Sequence, residues 1–255
     1  MPEIIILGSS YSIPDEEHEN THMVVACQER TILIDCVGNP ILRLKRARVE
    51  FTKLTDLILT HFHPDHVAGV PSLLMDMWLM GRRNSLDIYG LHHTLDRIED
   101  LMGFYDWQRW PDFFPVVFHR LPEREMIPVL STPEVNVFAS PVQHLIPTIG
   151  LRFEFLQPAK SMAYSCDTEP SQNVVRLARD VDVLVHEATG AGVGHSSPRQ
   201  AGEIATQANA RSLYLIHYPP AADQAEGLLA EARQAFAGRV ALAQDFGILD
   251  FSAGQ

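Results

Sequence analysis

The sequence predicts an α/β protein built as two sheets packed face to face with helices outside. Three observations point there. Strand-like runs open each half of the chain, and helical segments separate the later strands. Of the 255 residues 46% are hydrophobic, ample for a buried core in one large domain or two small ones. Finally, Thr60-His61-Phe62-His63-Pro64-Asp65-His66 directly follows the apolar run Leu57-Ile58-Leu59. In α/β sheets, active sites gather outside the carboxyl ends of strands.

The elements follow in order. Ile4 to Leu7, Met23 to Ala26 and Thr31 to Ile34 read as successive strands, the last two joined by the polar turn Gln28-Glu29-Arg30. Pro40 to Arg48 reads as a helix with proline at its start. Leu57 to Thr60 is a strand, and Val67 to Met80 a helix that tolerates Pro71 in its first turns. In the second half, Val135–Ala139, Gly150–Leu156 and Met162–Ser165 read as strands. Gln172–Arg179 reads as a helix, Val183–His186 as a strand, Pro198–Asn209 as a helix and Leu213–His217 as a strand. Alanine-rich Ala221–Phe236 reads as a helix, and Val240–Ala243 and Ile248–Phe251 as closing strands. The stretch from about 81 to 133 carries Tyr89, Phe104, Tyr105, Trp107, Trp110, Phe113, Phe114 and Phe118. It is expected to be a helical insertion in a single domain spanning 1–255, its aromatics filling a small core of their own. The sharper alternative is an apolar cover over the active site.

Composition narrows the class. No apolar run approaches the ~18 residues that a membrane helix needs. The start, Met1 to Gly8, has no basic region and no small-residue cleavage site, so no secretory signal is expected. Three widely spaced cysteines, Cys27, Cys36 and Cys166, suggest a reduced, cytoplasmic protein without a disulfide framework. Lysine and arginine number 20 against 32 acidic residues, a net charge of −12. An acidic surface repels phosphate backbones, which counts against nucleic acid as the substrate. Bound divalent ions can reverse the sign locally.

The cluster at 61–66 carries the chemistry. Imidazole nitrogen and carboxylate oxygen are ligands that Zn²⁺ and similar ions choose. Several ionisable groups at one strand end would be costly without a charge to hold them. His144, Asp167 and His217 also follow strand-like runs. Taken singly, His144 or His217 reads as a satisfied histidine and Asp167 as a loop cap. With His61, His63, Asp65 and His66 they make seven candidate donors, enough for two metals about 3.5–4 Å apart.

His61-Phe62-His63-Pro64-Asp65-His66 matches the His-x-His-x-Asp-His motif, and the chain resembles the metallo-β-lactamase superfamily over nearly its whole length. Ile32-Leu33-Ile34-Asp35 resembles the family's first motif. Tyr164-Ser165-Cys166-Asp167-Thr168, His186-Glu187-Ala188-Thr189 and His195-Ser196-Ser197 resemble the Gly-Asp-Thr, His-Glu-Ala-Thr and His-Ser-Thr motifs of its ribonuclease Z branch. The resemblance implies an αββα four-layer sandwich of two mixed sheets flanked by helices. It implies one metal on His61, His63 and His144, a second on Asp65, His66 and His217, and Asp167 bridging them. Zn²⁺ suits these donors, as do Mn²⁺ or Fe²⁺. Glu187 and His195 would form a proton-donating pair for the leaving oxygen, and Asp65 would help orient or deprotonate the nucleophile. Asp35 would fix the metal loop rather than ligate, and a homodimer is implied. His18, His22, His92, His93 and His119 have no matching positions and read as surface or core residues.

The chain departs from ribonuclease Z in three places. Its interval between His66 and His144 holds the aromatic segment, with Arg82 and Arg83 as a basic pair, where that enzyme has a basic arm. The early loop Ser12-Ile13-Pro14-Asp15-Glu16-Glu17-His18-Glu19 is acidic, and Cys166 replaces a glycine. The expectation is therefore a binuclear phosphodiesterase acting through a metal-bridging hydroxide on a small phosphodiester or related ester. The alternative is a ribonuclease Z-type endoribonuclease processing transfer RNA. A lactamase, a lactonase or a metal-binding domain without catalysis fits the motifs less well.

Overall fold

The computed structural model describes residues 2–220 and 225–251. The first sheet runs in chain order through β1 (Glu3–Gly8), β2 (His22–Ala26), β3 (Thr31–Ile34), β4 (Asp56–Ile58), β5 (Leu86–Leu91) and β6 (Val116–Leu121). Its first two pairings are antiparallel and its last three parallel. The second sheet holds β7 (Ile127–Ser131), β8 (Val135–Val142), β9 (Thr148–Leu156), β10 (Ala159–Tyr164), β11 (Val183–Glu187), β12 (Ser212–Ile216) and β13 (Arg239–Leu242). Three antiparallel pairings lead there into three parallel ones. The helices are α1 (Pro40–Arg46), α2 (Pro64–Val67), α3 (Val70–Leu79), α4 (His92–Gly103), α5 (Gln172–Leu177), α6 (Pro198–Gln207) and α7 (Ala225–Arg233).

Three apolar clusters define four layers. Between the sheets, Ile4, Ile34 and Ile58 meet Leu151, Phe153 and Val185. On the outer face of the first sheet, Leu7, Leu33 and Leu57 pack with Leu44 of α1, Leu74 of α3 and Ile98 of α4. On the outer face of the second, Leu184 and Leu213 pack with Val174 of α5, Ala205 of α6 and Ala232 of α7. Within β1, Ile4 and Ile6 face the central cluster while Ile5 and Leu7 face the outer one. A strand buried on both faces reads as an unbroken apolar run, as this one does. The αββα sandwich of two mixed sheets is thus the fold of the chain.

Some elements differ from the sequence reading. The helix expected over Val67–Met80 is two helices, α2 and α3, parted at Gly69. The Gly69 N–H donates to the Cys36 carbonyl at 2.8 Å, and a Cβ there would lie 2.9 Å from that oxygen. Close approach of two backbones overrides local helix preference. The expected helical insertion at about 81–133 contains only one α-helix, α4; β5, β6 and β7 belong to the two sheets. The physical reason is the open edge of β4, which β5 and then β6 cover with parallel ladders. Trp107, Trp110, Phe113, Phe114 and Phe118 join the outer core beside α3 and α4 instead of a separate one. Ile248–Phe251 forms no strand, only a bridge from Ile248 to Ile5. This segment lies along β1, where Phe246 N–H donates to the Ile6 carbonyl and Leu249 N–H to that of Ile4. The helix expected from Ala221 is seen from Ala225; positions 221–224 lie outside the described residues. No helix among the described residues is long and apolar enough to cross a membrane.

Candidate metal centre

Five strands deliver the site to one edge, at the seam between the sheets. His61 follows β4, His144 follows β8, Asp167 follows β10, Glu187 ends β11 and His217 follows β12. His63, Asp65 and His66 lie on or beside the single turn of α2, whose Pro64 fixes the entry. Three residues here adopt left-handed backbone although none is glycine: Asp35 (φ 59°), Cys166 (φ 54°) and His217 (φ 53°). Such conformations concentrate at functional sites.

All seven predicted donors come together. His63 Nδ1 lies 3.0 Å from His61 Nε2 and 3.1 Å from His144 Nε2. The donor atoms of Asp65, His66, Asp167 and His217 form a second group, all within 4.8 Å of one another. Asp167 faces both groups. Its Oδ1 is 3.5 Å from His66 Nε2, and its Oδ2 is 3.5 Å from His217 Nε2 and 4.0 Å from both His61 Nε2 and His144 Nε2.

The outer ring nitrogens of four of the five histidines are already used. His144 Nδ1 donates to the Gly194 carbonyl at 2.7 Å, which leaves a lone pair on Nε2. His66 Nδ1 donates to Asp35 at 2.8 Å. His217 Nδ1 meets Thr189 Oγ1 at 2.8 Å, while the Thr189 hydroxyl donates to the His217 carbonyl. His61 Nδ1 faces Thr60 Oγ1 at 3.1 Å. Outer partners of this kind set tautomer and ring orientation at metal sites. The inward atoms His66 Nε2, His217 Nε2 and Asp167 Oδ1 are buried without a hydrogen-bond partner. Buried polar groups rarely lack partners, so convergent orphans among imidazole and carboxylate donors fit a pair of divalent cations.

Electrostatics agree with this. Burial, joined by neighbouring imidazoles, lowers the pKa of His61, His63 and His144 and keeps them neutral. Burial would raise Asp167, but the charges of His217 and His66 hold it well below the usual carboxylate range. Asp65 is likewise held down by His217 and His66 against its burial. Burial opposes the charge on His66, yet Asp167 and Asp35 hold its pKa well above the usual value. Asp167 and Asp35 thus favour a positive charge at His66, the sign of charge that a bound cation would supply. Neutral imidazoles and ionised carboxylates are the forms that bind metal.

The predicted proton-donor pair is also assembled. His195 Nδ1 lies 3.1 Å from Glu187 Oε1, and the His195 ring is 5.1 Å from that of His144 and 5.9 Å from that of His217. The Glu187 hydrogen bond raises the His195 pKa against partial burial. Glu187 is itself wholly buried, accepting from the backbone N–H groups of Thr168, Thr189 and Ser196. Asp35 sits behind the donors, accepting from Thr60 and His66. Cys166 is buried with its thiol 3.5 Å from His61 Nδ1, and Cys27, Cys36 and Cys166 are all free. His119 pairs with Asp87 at 2.7 Å and stacks on Tyr89. Sequence reading missed the supporting roles of Thr60, Thr189 and Gly194; single residues in loops carry no pattern that marks which imidazole they will meet.

A family model described as a β-lactamase superfamily domain matches residues 30–218. Ribonuclease Z of Methanothermobacter thermautotrophicus is 25% identical, over 92% of this chain and 92% of its own. Among solved structures, the metallo-β-lactamase fold protein YhfI from Bacillus subtilis superposes with a TM-score of 0.83 at 20% identity, covering 97% of this chain and 98% of that one. The short form of human tRNase Z gives 0.79 at 23% identity, covering 98% and 99%. With its fold and this match, the chain belongs to the metallo-β-lactamase superfamily, a metal-dependent hydrolase that resembles the ribonuclease Z branch.

Proposed function

We propose that the chain is a two-metal phosphodiesterase acting on small phosphodiesters. The observation that carries the reading is the His195–Glu187 pair beside seven convergent donors. His61, His63 and His144 would hold one divalent ion and Asp65, His66 and His217 the other, with Asp167 between them; zinc suits this set, as would manganese or iron. When bound, the ions supply Lewis-acid charge and an acidified water. Asp65, 15% exposed, orients the attacking water and accepts its proton. His195 keeps one proton on Nδ1 against Glu187 and gives the other, on Nε2, to the departing alkoxide. Glu187 stabilises the imidazolium until that transfer.

The rim favours a small substrate. The loop over 9–20 leaves from beside His217, whose N–H donates to the Ser9 carbonyl, and Tyr11 N–H donates to that of Tyr218. Its Asp15, Glu16 and Glu17 are exposed. Leu145 and Val193, 60% and 76% exposed, flank His144 and His195 and offer an apolar ledge to a leaving group. A ribonuclease Z-type endoribonuclease is the second reading, favoured by similarity to a ribonuclease Z over nearly the whole chain. The test is a panel of bis(p-nitrophenyl) phosphate, alkyl phosphodiesters, phosphotriesters, sulfate esters, lactones and precursor transfer RNA on metal-loaded protein. Diesters should turn over fastest. No diester turnover by fully metallated protein would sink the proposal, and faster cleavage of transfer RNA would favour the second reading.

A further inference from the structure

The loop between β11 and α6 carries His195, and its placement depends on a residue outside the donor set. Glu169 Oε1 accepts the Gly194 N–H at 2.8 Å. The Gly194 carbonyl, on the other side of the same Cα, accepts from His144 Nδ1 at 2.7 Å. Glu169 is anchored in turn. Its N–H donates to the Gln143 carbonyl at 2.7 Å, and its second carboxylate oxygen accepts from Gln143 Nε2 at 3.1 Å. One carboxylate thus ties together the loops that follow β8, β10 and β11. Gly194 leaves no slack: its φ is +82°, and a Cβ there would lie 2.8 Å from His144 Nδ1.

We infer that Glu169 is a positioning residue that, through Gly194, sets both the orientation of His144 and the reach of His195 to the leaving oxygen. The carboxylate fixes the Gly194 N–H, which places the carbonyl that orients His144. The next residue along the chain is His195. A hydrogen bond to an ionised acceptor is stronger than a neutral one, so this contact restrains a loop whose tip is otherwise exposed at Val193. The role in proton delivery rests on the phosphodiesterase reading; the restraint of the loop does not.

The experiment uses the full-length, metal-loaded protein and its Glu169→Ala and Glu169→Gln variants. Hydrogen exchange is followed over 190–196, with metal content measured alongside. Exchange there should rise about tenfold or more in Glu169→Ala, as expected when an anchoring hydrogen bond is lost, and return towards wild type in Glu169→Gln, whose amide oxygen still accepts. Turnover is compared on bis(p-nitrophenyl) phosphate, whose phenolate leaves unaided, and glycerophosphoethanolamine, whose alkoxide needs a proton. Glu169→Ala should lose about tenfold more on the alkoxide substrate, a fraction of what a general acid contributes. Glu169→Asp, whose shorter side chain draws the carboxylate back from the Gly194 N–H, should show the same selectivity if Glu169→Ala does not fold. Unchanged exchange over 190–196 overturns the inference, and so do equal losses on both substrates at unchanged metal content, which mark a merely structural residue. If wild type turns over neither substrate, the phosphodiesterase reading has failed, while the exchange result still decides whether Glu169 holds the loop.

Discussion

Glu187 is not one of the seven donors, although it lies within 4.8 Å of His217, and its effect on His195 can be read by pH. A general acid works only while it holds its proton, so activity falls as pH rises through its pKa. The Glu187 hydrogen bond raises that pKa above the ordinary 6.5. Glu187→Gln removes the charge and keeps the shape, so the pKa of His195 drops back. The descending limb of kcat/KM must therefore move to lower pH, with about a tenfold loss or more on the alkaline side. A pH profile on an alkyl diester reads this, and an unmoved descending limb would mean that His195 is not the proton donor. The same residue scale explains Cys166. Its φ of 54° is the conformation for which the related Gly-Asp-Thr motif uses glycine, and the buried thiol fills the space behind His61.

At the scale of elements, α6 shows how the loop that carries His195 is terminated. Ser197 Oγ accepts from Gln200 N–H, and the Gln200 side chain accepts from Ser197 N–H, a capping box with Pro198 at the first helical position. Ser197→Ala should destabilise the fold by about 1 kcal/mol, seen as a lower urea midpoint at unchanged slope; an unaltered midpoint would mean that the cap is compensated locally. This start was legible because Pro198 follows Ser197 in sequence. The strands Ile4–Leu7 and Leu57–Leu59 were legible for another reason, since they face apolar layers on both sides. The segment 81–133 was not. β6 is only partly buried and mixes His119 and Arg120 with Val116 and Phe118, so neither period emerges and the aromatics suggested a core of their own. The donors His61 to His66 were legible as a local cluster. The outer partners Thr189 and Gly194 were not, because they are set by chain crossings at the seam.

At the scale of the whole molecule, the donors come from both halves: four from the first sheet's loop and three from the second's. A cation binding there binds only the folded chain, so it adds to the stability of the complete sandwich. Stripping the metals with a chelator should lower Tm by roughly 6–16 °C, from about 3–4 kcal/mol at 2–4 °C per kcal/mol for a chain of this size. An unchanged Tm after verified metal loss would argue against a metal that spans the seam. The charge of the molecule bears on the proposed substrate. Binding of nucleic acid is driven by protein cations that displace counterions from phosphates, and its logarithm falls with salt in proportion to the number of contacts. This chain has a net charge of −12, and its early loop, which leaves from beside His217 at Ser9, carries exposed acids. A net negative charge works against a grip on the many phosphates of transfer RNA, whereas a single phosphodiester would need only the local positive charge of the metals. Filter binding of precursor transfer RNA at about 50 mM salt should be weak, and it should lose little further at about 200 mM. Turnover of a small diester should change by about twofold or less over that range, because one phosphate displaces few counterions. Tight binding with a steep salt slope would overturn the small-substrate reading and leave the ribonuclease Z-type activity in its place.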